Sequence, residues 1–348
     1  MRHTLQYKSF LNHRFSRFCA IAVVPLLFAA CSKAEPSRTE FVLGTVCSIT
    51  LYDQAKESVY RDIFARLREI ENRMSANLPD TEVTRINAAA GVTSVQIHDD
   101  VFAVIERAVY FAGISNGAFD PTVGPLVKLW GIGGENPRLP SQEEIDAVLP
   151  LINWRDIELD SKNHSVFLKR PGMALDLGAI AKGYAADEAA AIIKKAGLKR
   201  AIVDLGGNIM TFGVKKNKSP WKVGVQDPLE ERGSYLGVVT GPEKTIVTSG
   251  VYEKFFEFEG QRYHHIFSPF NGYPASNGLL AVTIITGNSM NADALSTTVF
   301  VLGYEKGRAL IESLDGTDAV FVFDDKSVRK TGTVDFMLTN ENYRLLPD

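Results

Sequence analysis

The segment MALDLGAIAKGYAAD, which runs from Met173 to Asp187, says more about the fold and the chemistry of this chain than any other part of it. Its first residues predict a short strand that ends at Asp176, and the Gly-Ala turn that follows predicts the start of a helix. Free N–H groups at a helix N-terminus, together with Lys182, favour a bound phosphate. A carboxylate such as Asp176 tolerates that phosphate only if a cation or a donor group of the ligand lies between them, so a metal ion or a polar nucleobase is implied. The alternative is that Gly178 and Gly183 only close a turn between strand and helix.

Outward from this segment, strands and helices follow each other in clusters. The helix is expected to end near Lys195, and an apolar strand, Ala201–Leu205, comes next. Further strands are predicted at residues 47–51, 222–226, 245–248, 252–258, 262–267, 280–286 and 319–323. Further helices are predicted at residues 59–74, 99–113, 141–149 and 291–302, with a Gly- and Pro-rich loop at 131–140. This clustering favours an α+β fold, a single domain over residues 39–348 with mixed sheets and flanking helices.

Residues 1–30 have the features of an export signal. A positively charged start precedes an apolar run, residues 18–30, that is too short to span a bilayer comfortably and ends in small residues before Cys31. This junction predicts a lipoprotein that is cleaved before Cys31 and acylated there, with residues 31–38 as a tether. The alternatives are an ordinary signal peptide or an uncleaved anchor. Each places the remainder outside the cytoplasm, and lipidation predicts a periplasmic protein anchored to the inner membrane.

Composition narrows the class of protein further. Apart from Cys31 and the signal, Cys47 is the only cysteine, so there is no disulfide framework and stability must come from a hydrophobic core. An apolar content of 45% over 348 residues is sufficient for such a core. The net charge is −3 and no long basic run follows the signal, so nucleic acid is not expected as a partner.

A second informative segment is MNADALSTTVF, residues 290–300. Asp293 and Thr297 are four residues apart on a predicted helix, so both side chains lie on one face. A carboxylate and a hydroxyl arranged in this way, with backbone carbonyls, form an oxygen site suited to Mg²⁺. The alternative is that Asp293 only caps the helix N-terminus.

Two loop-forming segments carry further candidates. In RYHHIFSPFNGYPA, residues 262–275, adjacent histidines on a strand face opposite sides, so one of the two at most reaches a given pocket. A histidine beside a phosphate site is a candidate acid or base, although a lone histidine on a strand is more often structural. In NGAFDPTVGPLVKLW, residues 116–130, Asp120 and an exposed Phe119 are expected in a loop, with a simple capping turn before a helix as the alternative.

Eight segments in order resemble the ApbE family, the FAD:protein FMN transferases. The resemblance covers nearly all of the chain after the tether. Its segments are Gly44-Thr45, SANLPDTEVTRIN (75–87), residues 117–130, residues 176–187, Asn208 after Gly206-Gly207, Thr248-Ser249-Gly250, residues 263–274 and residues 291–298.

This resemblance implies a single T-fold-like α+β domain that uses FAD as substrate and Mg²⁺ as cofactor. Its reaction breaks the pyrophosphate of FAD and passes FMN to a Ser or Thr hydroxyl of an exported acceptor protein, such as a subunit of a membrane redox pump. Carried over by position, the metal ligands are Asp293, Thr297 and the carbonyl of Ala179, and the catalytic residues are Lys182, Asp293 and His265. The FAD contacts so implied are Leu43, Asn77, Ala118, Phe119, Asp120, Asp176, Lys182, Ile266 and Phe267.

Two positions depart from the family pattern. Leu43 replaces a Met, which keeps an apolar contact, whereas Asn77 replaces a Tyr. An aromatic ring stacked on a flavin contributes about 0.5 to 1.5 kcal/mol beyond its buried area, so its loss should weaken flavin retention by roughly tenfold. We therefore expect this member also to hydrolyse FAD to FMN and AMP when water replaces the acceptor hydroxyl.

Two rival functions use the same residues. One is a periplasmic lipoprotein that binds or scavenges flavin without catalysis, and the pairing of Asp293 with Thr297 argues against it, because simple capture needs no metal on the pyrophosphate. The other is an FAD pyrophosphatase with no protein acceptor. The residues do not separate Mg²⁺ from Mn²⁺, since both metals prefer oxygen ligands.

Overall fold

Strands and helices follow each other in clusters, as predicted, in the computed structural model, which describes residues 37–347. The strands are β1 Ser37–Val42, β2 Thr45–Leu51, β3 Val95–Gln96, β4 Ile157–Asp160, β5 Ser165–Leu168, β6 Ala201–Leu205, β7 Asn208–Phe212, β8 Trp221–Gln226, β9 Tyr235–Gly241, β10 Lys244–Gly250, β11 Phe255–Phe258, β12 Gln261–His264, β13 Leu279–Thr286, β14 Asp318–Phe323, β15 Ser327–Lys330, β16 Phe336–Leu338 and β17 Arg344–Leu345. The helices are α1 Glu57–Met74, α2 Glu82–Ala88, α3 Asp99–Ile114, α4 Gly124–Trp130, α5 Gln142–Val148, α6 Ala181–Lys195, α7 Ser289–Leu302 and α8 Tyr304–Glu312. The predicted signal peptide, Cys31 and residues 32–36 of the predicted tether lie outside the described residues.

A nine-stranded sheet, in the order β1-β2-β6-β7-β10-β13-β14-β15-β17, is the centre of the fold. Its neighbouring strands pair antiparallel, except that β15 and β17 are parallel. Three smaller sheets, β16-β9-β8, β3-β5-β4 and β11-β12, accompany it. This mixture of sheets and helices confirms the predicted α+β class.

The central strands of the main sheet are buried on both faces. On β10, Ile246 packs into a core formed with the β16-β9-β8 sheet, whereas the next residue, Val247, packs into the larger core under the helices. β13 and β14 alternate between the same two cores, which explains their nearly continuous apolar sequences. Towards the edge, β2 buries only Cys47, Ile49 and Leu51, so its sequence shows the alternation of a half-exposed strand.

Helices α6 and α7 lie side by side on the main sheet, with α7 against β10 and β13 and with α1 covering α6. The core side chains lie between Val42 and Tyr343, so a chain that starts at Ser32 keeps the whole core. Within residues 37–347, no helix is both long and apolar enough to cross a membrane.

Several predicted boundaries were wrong. The segment before Asp176 is extended but forms one isolated bridge, between Ala174 and Val123, and not a strand. Its neighbouring segment contains Pro121, which lacks an N–H donor, and turns into α4 at Gly124, so the ladder cannot continue.

Other elements were shorter than predicted or not predicted at all. The hairpin expected at 252–267 is limited to β11 and β12, and the tether is shorter than expected because Ser37 and Arg38 belong to β1. Helix α8 was not predicted, because a glycine at residue 303 indicates only the end of α7. In the structure Gly303 both ends α7 and caps the start of α8. Strand β7, which pairs with β6, was not predicted because polar residues interrupt its apolar pattern. The strands β1, β3, β4, β5, β9, β15, β16 and β17 were not predicted either.

Candidate active site

The contact between α6 and α7 brings the two most informative segments of the sequence together. Gly183 makes this approach possible, because a Cβ atom there would lie 2.2 Å from the carbonyl oxygen of Ser289 and 2.7 Å from the Cβ of Asp293. The N–H of Gly183 donates a hydrogen bond to Asp293 Oδ2 at 2.9 Å. Gly183 therefore serves the packing of two helices and not only a turn, as the alternative had it.

Asp293 is a buried carboxylate with a cationic partner. Its exposed fraction is 3%, and Lys182 Nζ lies 3.3 Å from Oδ1. The same ammonium donates to the carbonyl oxygen of Gly178 at 2.9 Å. A buried carboxylate is stable only when it is paired and hydrogen-bonded, and Asp293 meets both conditions.

One helical turn further on, Thr297 belongs to a group of hydroxyls. Ser249 Oγ, at the end of β10, lies 3.3 Å from Thr297 Oγ1 and 2.8 Å from Ser296 Oγ. Asp293 and Thr297 are thus on one face of α7, as predicted. Ser249 belongs to one of the segments that resemble the family, but its position beside Thr297 was not predicted from the sequence.

Helix α7 is capped by other residues than Asp293. Asn288 Oδ1 accepts a hydrogen bond from the N–H of Asn291 at 2.9 Å. Asp187 of α6 also holds the helix start, since it accepts hydrogen bonds from the backbone N–H groups of Ser289 and Met290, both at 2.9 Å. Burial raises the pKa of this carboxyl, and the hydrogen bonds oppose the rise. The capping alternative for Asp293 is therefore wrong, and its carboxylate is available for another role.

The turn before α6 contains the next two predicted residues. Asp176 is half-buried and its Oδ1 accepts a hydrogen bond from the N–H of Gly178 at 2.8 Å. Ala179 is partly exposed and directly precedes the residue that caps α6, Ile180. Asp176 thus stabilises the turn whose carbonyl oxygens lie beside Lys182.

The two adjacent histidines have different surroundings. His264 ends β12, is 6% exposed, donates from Nε2 to the carbonyl oxygen of Ala275 and accepts at Nδ1 from the N–H of Ile266. His265 lies at the bend after the strand, where Nδ1 is 3.2 Å from the carbonyl oxygen of Lys254. The pKa of both histidines is lowered to about 4, mainly by burial. For His265 the hydrogen bond to Lys254 opposes this shift, and the positive charges of Lys254 and Lys182 contribute to it. His264 is therefore a core residue, whereas His265 is the histidine whose pKa is lowered in part by the charge of Lys182.

The loop of residues 116–122 differs from the prediction. Phe119 is buried, 4% exposed, with its ring edge-on to Phe111, so its expected exposure was wrong. Asn116 and Gly117 both have positive φ angles, and the turn that they form directs the loop into the protein, so Ala118 is buried as well.

Asp120 is buried and uses both carboxylate oxygens within the protein, on Thr122 and on the backbone N–H of Trp154. Burial raises the pKa of Asp120, and these hydrogen bonds oppose the rise.

The remaining predicted contacts differ in how deeply they are buried. Leu43 is half-buried at the tip of the β1-β2 hairpin, and Asn77 is exposed on the turn after α1. Ile266 packs in the large core, and Phe267 packs against Trp130 in a small separate cluster. Ile266 and Phe267 are therefore core residues of two different clusters.

An unpredicted polar group lies at the α7 end of this region. Asn208 is 1% exposed, and its Oδ1 accepts a hydrogen bond from Ser289 Oγ at 2.7 Å. Its Nδ2 is buried and finds no hydrogen-bond partner among residues 37–347. A buried amide donor without a partner is costly, so an acceptor oxygen from water or ligand would stabilise it.

The oxygen atoms near Asp293 fit a small hard cation. Asp293, Thr297 and the carbonyl of Ala179 are oxygen donors, the ligand type that Mg²⁺ prefers. Lys182 already places a positive charge on Asp293 Oδ1, which shows that this position favours a cation. Within residues 37–347, no group of three or more His, Cys, Asp or Glu side chains is arranged to hold a metal ion, so a metal here would need substrate or water oxygens to complete its coordination.

A groove of about 480 Å³ lies elsewhere, beside Tyr263, His264, Asn277 and Asp324. The predicted catalytic, metal and FAD residues, all within the described part of the chain, do not line it. The candidate site is defined by its charges and hydroxyls, and it lies outside this groove.

Known proteins resemble this chain over most of its length. It is 39% identical over 319 residues to the FAD:protein FMN transferase of Treponema pallidum, covering 86% of this chain and 88% of that protein. It is 36% identical to a Klebsiella pneumoniae protein of the same name, covering 84% and 90%. The crystal structure of the ApbE protein from Thermotoga maritima superposes with a TM-score of 0.78 at 33% identity, covering 85% of this chain and 96% of that one.

The sequence pattern of the ApbE family matches residues 43–321, which include every predicted site residue of the described part. That range contains the α6-α7 contact, the hydroxyls of β10 and the bend at His265. This chain belongs to the ApbE family.

Proposed function

We propose that this protein is an FAD:protein FMN transferase that breaks the pyrophosphate of FAD, transfers FMN to a Ser or Thr hydroxyl of an acceptor protein and releases AMP. One observation carries the proposal: the buried carboxylate of Asp293 pairs with the ammonium of Lys182, and the hydroxyl of Thr297 lies one turn further along the same face of α7. The shared name of the two relatives described above supports it.

Charge balance supports a metal-assisted reaction. A pyrophosphate brings negative charge to a site that already contains Asp293, and Lys182 alone cannot offset both. Asp293, Thr297 and the Ala179 carbonyl would hold Mg²⁺, and Mn²⁺ suits the same ligands. The metal would neutralise the pyrophosphate and make AMP a better leaving group. Lys182 adds a fixed positive charge at the same place.

His265 has the protonation state of a general base. A carbonyl oxygen only accepts hydrogen bonds, so its bond to Lys254 requires the proton on Nδ1 and leaves Nε2 with a free lone pair. With a pKa of about 4, the imidazole is neutral at pH 7. In the proposed step, the acceptor oxygen bonds to the FMN phosphorus, the bond to the AMP phosphate breaks, and the hydroxyl proton passes to Nε2.

Hydrolysis of FAD is proposed as a second activity, with water in place of the acceptor hydroxyl. Asn77 favours it, because this residue lies exposed on a turn and supplies an amide where the family pattern has an aromatic ring. Weaker retention of flavin would favour turnover over storage.

The cellular setting follows from the N-terminal sequence. We propose a periplasmic lipoprotein, anchored to the inner membrane through a lipid on Cys31, that acts on exported flavoproteins such as subunits of membrane redox pumps. Intact mass of the protein extracted from membranes tests the lipid: an unmodified N-terminus would contradict it.

The decisive experiment incubates the chain from Ser32 onward with FAD and Mg²⁺, with and without an exported flavoprotein, and follows AMP release and acceptor mass. AMP and an acceptor heavier by one FMN, both abolished by Asp293→Ala and unaffected by the exposed control Asp315→Ala, support the transferase. AMP without acceptor labelling supports the pyrophosphatase alone. Bound FAD with neither product supports the non-catalytic flavin binder.

A further inference from the structure

A cluster of basic residues gathers at the end of the main sheet opposite the candidate site. We call this surface the basic end and define it by seven cationic residues: Lys194, Lys195, Lys199, Arg200, Lys215, Lys216 and Lys218. Five segments converge there, namely the end of β2, the end of α6, the start of β6, the end of β7 and the loop before β8.

Direct contacts hold the basic end together. Arg200 binds Asp53, which follows β2, and the N–H of Tyr52 donates to the carbonyl oxygen of Arg200 at 3.0 Å. Lys194 Nζ lies 5.1 Å from the centre of the Phe212 ring. These contacts join α6, β2, β6 and β7 at one place.

A pocket of about 430 Å³ opens in this surface. Its lining combines cations and aromatic rings: Tyr52, Arg200, Lys215, Lys216, Asn217 and Trp221. The Tyr52 and Trp221 rings are 5.0 Å apart, and Lys215 Nζ lies 5.7 Å from the Trp221 ring. The pocket therefore offers ammonium groups above an aromatic floor, a combination suited to a phosphate-bearing amphiphile.

The charge of the basic end contrasts with that of the whole chain. Asp53 and Glu243 are the carboxylates that contact its cations, through Arg200 and Lys194. Lys195, Lys199, Lys216 and Lys218 are exposed. A strongly positive surface on a chain of net charge −3 indicates an anionic partner.

The path of the chain identifies that partner. Ser37 pairs with Thr50 on β2, Thr50 with Ile202 on β6, and Ile202 with Thr211 on β7, so the first described residue lies at the basic end. Five residues lie between Cys31 and Ser37, and a fully extended chain over these six residue-to-residue steps reaches only about 20 Å. A lipid on Cys31 would keep the basic end within that distance of the bilayer.

We infer that the basic end binds the anionic phospholipid surface of the membrane. The site then points away from the bilayer, because α6 begins beside Lys182 at the site and ends at Lys195 in the basic end, about 22 Å further along its axis. The inference rests on the proposed lipid anchor for its setting, but the lysines act without the lipid.

Vesicle sedimentation tests the inference with the chain from Ser32 onward, which lacks the lipid. We expect binding to vesicles of phosphatidylcholine and phosphatidylglycerol in a 3:1 ratio, much weaker binding to pure phosphatidylcholine, and loss of binding between 50 and 300 mM salt as screening increases. Replacing Lys215, Lys216 and Lys218 with Gln should lower the partition coefficient about 100-fold, since each lysine contributes roughly a fivefold factor.

A matched control has the same change of net charge elsewhere: Lys128→Gln, Lys162→Gln and Lys306→Gln, all exposed. Equal losses in the two triple variants, equal binding to neutral vesicles, or no binding at all would overturn the inference. AMP release from FAD, measured without vesicles, should be unchanged in both variants, which separates this inference from the proposed function. A loss of FMN transfer to a soluble acceptor in the Lys215, Lys216 and Lys218 variant alone would assign the surface to an acidic acceptor protein instead.

Discussion

The α6-α7 contact and the loop of residues 116–122 both belong to the family resemblance, yet they use their carboxylates in opposite ways. Asp293 binds one backbone N–H through Oδ2 and shares Oδ1 with the ammonium of Lys182 at the edge of the protein. Asp120 commits both oxygens to Thr122 and Trp154 and is buried by its own loop. If the proposed function holds, the charge of Asp293 serves the chemistry, and the oxygens of Asp120 serve the structure of its loop.

Asp293→Asn should give the largest effect. The amide keeps the shape of the side chain but loses the negative charge that holds a cation and pairs with Lys182. We expect AMP release from FAD to fall about 1,000-fold, equivalent to about 4 kcal/mol, with a small change in the free energy of unfolding. Initial rates and urea unfolding measure the two quantities. If Asp293→Asn keeps activity within threefold of the unchanged protein, the assignment of Asp293 to chemistry is wrong.

Asp120→Ala should show the reverse pattern. It leaves the buried N–H groups of Thr122 and Trp154 without an acceptor, so we expect the free energy of unfolding to fall by about 3 to 4 kcal/mol. AMP release per folded molecule should stay within about threefold, measured where urea titration shows the variant to be folded. A rate loss as large as that of Asp293→Asn, with unchanged stability, would instead assign Asp120 to the FAD site.

Lowering the pH should destabilise the protein through the buried His264. The pKa of His264 falls from 6.5 to about 4 on folding, so the folded state binds fewer protons; stability is complete above pH 6.5 and decreases as the pH falls towards 4. For His264 the loss approaches about 3 kcal/mol at pH 4. Urea midpoints between pH 7 and 4 should therefore fall less steeply in His264→Gln, whose uncharged side chain cannot titrate. An unchanged slope would show that His264 is not the group responsible.

The fold was more predictable from sequence than the site. Periodicity predicted α1, α3, α6 and α7 and the strands β2, β6, β10, β13 and β14, because burial on one or both faces imposes a pattern on each element. It did not predict α4 or the isolated bridge at Ala174, since short segments held by single tertiary contacts carry no such pattern.

For the site, spacing placed Asp293 and Thr297 on one helix face, but three features depended on tertiary contacts. These are the approach of Lys182 to Asp293, the contact of Ser249 with Thr297 and the unpaired amide of Asn208. The expected exposure of Phe119 was wrong because a polar loop sequence does not reveal which way its backbone turns. The basic end was likewise not predicted, because its lysines come from separate segments and do not form one continuous run of charge in the sequence.

Asn77→Tyr should give the smallest effect. Unlike Asp293 and Asp120, Asn77 is exposed, and it takes no part in the Lys182–Asp293 ion pair. The backbone N–H of Asn77 donates to Ser75 Oγ at 3.1 Å, a bond that the substitution keeps, so the free energy of unfolding should change by less than about 0.5 kcal/mol. A ring at this point should tighten FAD retention roughly tenfold and slow AMP release, because stacking stabilises the bound flavin. Equilibrium dialysis of FAD and steady-state AMP release measure both effects. Asn77→Leu is the matched control, since it adds apolar area without a ring. Equal retention in the Tyr and Leu variants would remove stacking from the explanation, and no change in either would place residue 77 outside the flavin contact altogether.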